Sequence, residues 1–184
     1  GFLFFKVGLF SIFLFLKSLK KPNYAALCFG GFAVSAGLYY LSVFGLGVLL
    51  SLSALTRYYL STISFMFFPV FLYSFLHVIV GRDRLIRAIW LLHAGYAGLT
   101  ILMDVFQVIA LVRLFPFFTI MFFITIIATF IRGLYYIRCG NQRVRLFMAA
   151  FTFYGITGLH DLLVGMQILP YWVWLSQWGA LVFI

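Results

Sequence analysis

The sequence predicts an all-α, polytopic membrane protein: a bundle of seven transmembrane helices with its amino terminus outside and its carboxyl terminus inside. Three observations predict it. Of 184 residues, 66% are apolar and only 9% charged, with a mean hydropathy of +1.17, whereas water-soluble domains are about 45 to 50% apolar and about 25% charged. The apolar residues fall into seven runs separated by short polar gaps. The basic residues are concentrated in alternate gaps.

The runs are Phe2 to Leu16, Tyr24 to Leu50, Leu60 to Val80, Ala88 to Val112, Phe115 to Ile137, Leu146 to Leu169 and Tyr171 to Ile184. Each is expected to be helical, because hydrocarbon offers no partner for unpaired backbone groups and the runs do not alternate as barrel strands would. The seventh is short for a crossing and is expected to continue beyond Ile184. A start without Met and a stop inside an apolar run suggest a piece of a longer chain. No small-residue cleavage site follows the first run, so a signal peptide is not expected.

Gaps one, three and five carry Lys17, Lys20, Lys21, Arg82, Arg84, Arg87, Arg138, Arg143 and Arg145, while gaps two, four and six carry only Arg57 and Arg113. Nine against two is a positive-inside bias, and it sets the orientation. Lys6 and Arg132 lie within runs and are expected to snorkel. Tyr58, Tyr59, Tyr171, Trp172, Trp174 and Trp178 fall near the outer ends, as an aromatic belt would. This placement accounts for the net charge of +10 without a nucleic-acid partner; the partner implied is the lipid bilayer. Cys28 and Cys139 are expected to be free thiols.

Pro22 with Asn23, Gly81, and Gly140 with Asn141 are expected to break the chain at the inner turns, and Pro116 and Pro170 to sit just inside helix starts, where a missing N–H costs nothing. Small-residue pairs such as Ala33 with Gly37 and Ala94 with Gly98 are expected to allow close helix contact.

Ionisable groups inside crossings are costly, about 2.5 to 3.5 kcal/mol for a central charge, so each is a candidate for function. Asp104 and Asp161 come first, as two of only three acids. Each lies nine residues from its outer boundary, roughly 13 Å at 1.5 Å per residue, which suggests one polar pocket open to the outside. In the fourth run His93, Thr100, Asp104 and Gln107 are expected to share a stripe. In the sixth, Tyr154, Thr157 and Asp161 share a face and His160 points about 100° away. The competing structural reading makes these groups interhelical glue, with Asp161 satisfied by Thr157 or another helix, and Asp104 bonding Gln107 or snorkelling toward Arg113. His77 reads as an interfacial residue. The candidates for ligand binding or signal relay are therefore His160, Asp161, Asp104, His93, Gln107, Tyr154 and Thr157. No phosphate loop, nucleophile elbow or paired zinc ligands appear, so the expectation is no catalytic residue, no metal and no cofactor.

The stretch IRCGNQRVRLFMAAFTFYGITGLHDLLVGMQILP resembles the bacterial seven-transmembrane receptors with diverse intracellular signalling modules. It has that family's basic inner turn around Gly140 and Asn141, a helix ending in a His-Asp or Asn-Asp pair, here His160 and Asp161, a short outer turn and, further on, a glycine in the last helix, here Gly179. The resemblance implies a module in the inner (plasma) membrane. It would relay a stimulus from an unknown extracellular ligand or outer domain to a cytoplasmic kinase, cyclase or phosphatase outside this sequence, as a homodimer and without being an enzyme itself. Only His160 and Asp161 carry over from the family's pattern. A secondary transporter or proton pathway using Asp104, Asp161 and the histidines is the alternative, and a zinc-dependent membrane hydrolase a weaker one.

Overall fold

A computed structural model of the chain describes residues 2–18, 22–44, 52–81, 83–165 and 175. The described residues form six helices and no strands: α1 (Phe2–Lys17), α2 (Tyr24–Phe44), α3 (Ala54–Val80), α4 (Arg84–Val105), α5 (Leu111–Arg138) and α6 (Gln142–Gly165). Four of them contain stretches long and apolar enough to cross a bilayer, Tyr24–Val43, Ala54–Val80, Arg84–Val105 and Leu111–Arg138. The first helix has 16 residues, and α6 contains a shorter apolar stretch, Val144–Gly158. The seventh run lies outside the described residues except for Leu175, as do Lys20, Lys21, Arg82 and Pro170.

The exposed surface is richer in large apolar side chains than that of a protein in water, and polar side chains are buried among the apolar core. Ser35, Ser42, Thr62, Ser64, His93, Thr100, Thr125, Thr129, Thr157 and Asp161 are buried, while Leu91, Leu99, Leu102, Phe117, Ile120, Ile124, Ile127 and Ile131 are exposed. In water this arrangement would be costly, since apolar burial drives folding. In a bilayer it is the stable one: apolar side chains cost nothing against lipid, and polar groups find partners only inside the protein.

Two compact units divide the chain, Gly1–Ile126 and Ile127–Ile184. In the first, α1 packs on α2, α2 on α3 and α3 on α4, the order that short antiparallel connections impose. The α1–α2 contact depends on glycine: a Cβ at Gly37 would stand 2.7 Å from the Phe5 backbone nitrogen, and one at Gly8 2.7 Å from that of Val34. Gly37 thus makes the expected close contact, whereas Gly98 faces open space, so the Ala94 and Gly98 pair does not. Aromatic rings fill the interior, with Phe32 on Phe68 at 4.8 Å and Phe65 edge-on to Phe115, Phe118 and Phe122. In the second unit, Met148 of α6 occupies the space that a side chain at Gly133 of α5 would need.

Capping residues shift several helix starts. Ser53 caps α3, its hydroxyl accepting from the Thr56 N–H at 3.1 Å, so Arg57, Tyr58 and Tyr59 belong to the first turns of that helix and not to a connecting loop. Asp83 caps α4, accepting from Leu85 and Ile86 N–H at 2.7 and 3.1 Å. Asn141 accepts from Val144 N–H at 3.2 Å and starts α6. The helix breaks at Gly81 and Gly140 fall where expected, both at positive φ, a conformation glycine adopts without a Cβ clash. Because α5 begins at Leu111, Pro116 sits in its second turn, where its missing N–H removes an intrahelical bond; the expectation that it costs nothing is corrected. Pro69 is buried in the middle of α3, as intramembrane helices tolerate.

Candidate functional site

The fourth run departs most from expectation. Instead of continuing to Val112, α4 ends at Val105, and residues 106–110 form a turn in which Gln107 has φ +58°. The turn is built of apolar residues, Val108 and Ile109 among them, so hydropathy does not reveal it. Gln107 is exposed and leaves the stripe; its backbone N–H donates to the Asp104 carbonyl at 2.9 Å, and its side chain is not the partner of the Asp104 carboxylate. That carboxylate accepts the N–H of Leu111, the first residue of α5, at 2.7 Å. Asp104 therefore holds the start of the next helix, favourable for a negative charge at a helix N-terminus.

The same stripe places His93 in the centre of the first unit, 0% exposed. Its Nε2 lies 2.8 Å from Thr125 Oγ1. That oxygen also receives the Tyr73 hydroxyl at 3.1 Å and donates its own proton to the Phe122 carbonyl at 2.9 Å. One hydroxyl has one proton and two lone pairs. If all three bonds are kept, His93 must donate through Nε2–H, which leaves Nδ1 as an acceptor, and that atom has no hydrogen-bond partner among the described residues. The ring stacks on Tyr73 at 5.1 Å and meets the edges of Phe118 and Phe122. A buried histidine so enclosed, bonded through neutral hydroxyls, joins α3, α4 and α5. Thr100, a further residue of the stripe, is buried and returns its hydroxyl to the Tyr96 carbonyl at 2.7 Å.

In the second unit the pair expected to diverge is joined. His160 Nδ1 and Asp161 Oδ1 are 3.0 Å apart, with the acid side chain 6% exposed and the histidine 27%. The 100° between consecutive positions is bridged by side-chain rotation. The same Oδ1 accepts the backbone N–H of Leu175 at 2.7 Å, fourteen residues along the chain. Thr157 is buried but is not the partner of Asp161; its hydroxyl donates to the carbonyls of Phe153 and Tyr154. Tyr154 is half-buried on the same helix.

Asp104 and Asp161 are thus each engaged by a backbone N–H within their own unit, and Asp83 does the same at α4. Sequence reasoning missed Asp83, Tyr73 and Thr125. An aspartate directly before Arg84 to Arg87 is a readable cap signal. Thr125 and Tyr73 carry none, because their role follows from how three helices are aligned. His77 lies parallel to Trp90 at 6.5 Å, and its Nδ1 has no hydrogen-bond partner among the described residues. Cys28 is buried 3.1 Å from Ser74 Oγ, and Cys139 is exposed; neither is in a disulfide. Among the described residues no group of His, Cys, Asp and Glu has the geometry of a metal site.

Helices with apolar exposed faces and polar side chains buried between them, with a His-Asp pair held to a later segment of the chain, define a multi-pass membrane protein whose polar groups tie helices together. The chain belongs to the 7TM diverse intracellular signalling family, whose model matches residues 1–184. It is therefore a membrane signal-transduction module. No curated protein and no solved structure matches it.

Proposed function

We propose that this chain is the transducing bundle of a receptor, with seven crossings, the amino terminus outside and the carboxyl terminus inside the inner membrane. A stimulus from an extracellular ligand or outer domain biases helix packing, and the seventh crossing passes the displacement to a cytoplasmic kinase, cyclase or phosphatase, in a homodimer. The bundle itself performs no catalysis. Nine basic residues in alternate gaps against two support the orientation, and an odd number of crossings puts input and output on opposite sides.

The observation that carries the reading is the bond from Asp161 to the Leu175 N–H. A relay needs two packings of similar energy and a contact that differs between them. A carboxylate in α6 that holds the backbone N–H of Leu175 and also meets His160 provides such a contact, because both bonds share one oxygen and a shift of either segment changes how it is shared. In the receptor containing this bundle, Asp161→Ala is expected to abolish stimulus-dependent output, while Asp161→Asn, which keeps an acceptor oxygen but no charge, retains part of it. An unchanged response of Asp161→Ala at normal membrane levels would remove the residue from the mechanism.

A further inference from the structure

The turn between α4 and α5 is apolar where its neighbours are polar. Gly81, Arg82 and Asp83 precede α4, and Cys139, Gly140 and Asn141 follow α5, whereas residues 106–110 are Phe106, Gln107, Val108, Ile109 and Ala110. These side chains are not covered by the rest of the chain: Val105 is 68% exposed, Phe106 73%, Val108 66% and Val112 56%. In water, so much apolar surface on one connection would be costly.

The backbone of the turn is satisfied by the protein. The N–H groups of Phe106 and Gln107 donate to the carbonyls of Leu102 and Asp104 at 2.9 Å, and those of Val108 and Ile109 share the Met103 carbonyl at 2.9 and 3.4 Å. Leu111, whose N–H would otherwise be an orphan at the start of a helix, donates to the Asp104 carboxylate. Irregular backbone is tolerated close to hydrocarbon only where its polar groups have partners, and these five donors have them.

Depth and continuity point the same way. Val105 lies eighteen residues beyond Arg87, the last arginine before the apolar part of α4, roughly 27 Å at 1.5 Å per residue. The hydrocarbon layer is about 30 Å thick, so with Arg87 at one polar boundary the end of α4 only just reaches the other. Leu92, Leu99, Leu102 and Phe106 follow at spacings of seven, three and four, on one face of α4, and all are exposed. Beyond the turn, Val112, Ile120 and Ile124 of α5 are exposed as well. The apolar surface of the two helices thus runs into the turn from both sides, and the next charge is Arg113, exposed in the first turn of α5.

We infer that the α4–α5 turn is inserted in the membrane at the boundary of acyl chains and headgroups, with Val105, Phe106, Val108 and Val112 against lipid and Arg113 reaching to the phosphates. Lipid is the partner that covers both the turn and the helix faces continuous with it. The inference rests on the membrane location of the chain and not on the relay, and it holds in whichever leaflet the turn lies.

The test uses the whole chain in phosphatidylcholine liposomes, with a nitroxide spin label on a single cysteine. Phe106→Cys and Val108→Cys are each made in a chain carrying Cys28→Ser and Cys139→Ser. The reference is the label on native Cys139, exposed in the turn after α5, in a chain carrying Cys28→Ser alone. Power saturation reads collisions with oxygen, which concentrates among acyl chains, and with a water-soluble nickel chelate. At positions 106 and 108 the ratio of oxygen to nickel collisions is expected to be several times that at Cys139. A ratio equal to that at Cys139 would place the turn in water and overturn the assignment. Few collisions with either reagent would mean that protein covers the turn, a second copy or another segment, and would overturn it too. Helical circular dichroism confirms that each labelled chain is folded.

Discussion

Two histidines sit at the depth of the apolar residues, and the two units treat them differently. His93 is wholly buried, bonded to one threonine hydroxyl and enclosed by Tyr73, Phe118 and Phe122, with no acid among these partners. His160 is part exposed and bonded to a carboxylate that also accepts the backbone N–H of Leu175. A neutral, enclosed group gains little from changing partners, since every alternative strands a polar atom away from water. A histidine and a backbone N–H that share one carboxylate oxygen can exchange at smaller cost. The contrast fits packing for the first histidine and, on the proposed relay, movement for the second, the one of the two that also carried over from the family's pattern in the sequence.

The sharpest way to break this contrast is to remove each ring. His93→Ala deletes a side chain packed against three aromatic rings and leaves Thr125 without one of its partners, so it should cost about 3 kcal/mol, the scale of large-to-small core substitutions. His160→Ala, at the edge of its unit, should cost below about 1 kcal/mol while altering the stimulus response of the receptor. Unfolding in mixed micelles followed by circular dichroism measures the first difference. Equal costs at the two positions would show that burial does not separate their roles.

The acids give a smaller contrast. Asp104 accepts the N–H of Leu111 at the start of α5, so Asp104→Ala removes a cap and should destabilise by about 1 kcal/mol. Asp104→Asn, which retains an oxygen, should cost less. Hydrogen exchange at the Leu111 amide is expected to rise in the alanine variant, with the output of the receptor unaltered. A loss of signalling without faster exchange would instead return Asp104 to the candidate relay.

How much of this was legible depends on what each feature is made of. The helical class and most of the crossings follow from apolar length, and Gly81, Gly140 and Asn141 stop or start helices where their backbone chemistry requires it. The turn at residues 106–110 was not legible, because Val108, Ile109 and Ala110 are as apolar as the helix they interrupt; with it went the assignment of Gln107. Arg57 was read as a loop residue because a charge ends an apolar run, whereas Ser53 had already started the helix. His160 and Asp161 were identified, but their bond was not, since helical spacing fixes the direction of Cβ and not the rotamer. Thr125 is one of many threonines within apolar runs. Only the alignment of α3, α4 and α5 makes it the acceptor for Tyr73 and His93.

That threonine allows the finest test of the buried network. Tyr73→Phe removes one donor and leaves Thr125 bonded to His93 and to the Phe122 carbonyl, so the loss should be about 0.6 kcal/mol, the average for an interhelical hydrogen bond in a membrane protein. Thr125→Val preserves shape but takes the acceptor from both Tyr73 and His93, and should cost more than Tyr73→Phe. Once Thr125 is valine, the Tyr73 hydroxyl has lost that bond, so adding Tyr73→Phe should cost almost nothing further. A double-mutant cycle on unfolding free energies reads the difference directly. Strict additivity would mean that Tyr73 and Thr125 do not act through one bond, and the network around His93 would then be three separate contacts instead of one lock.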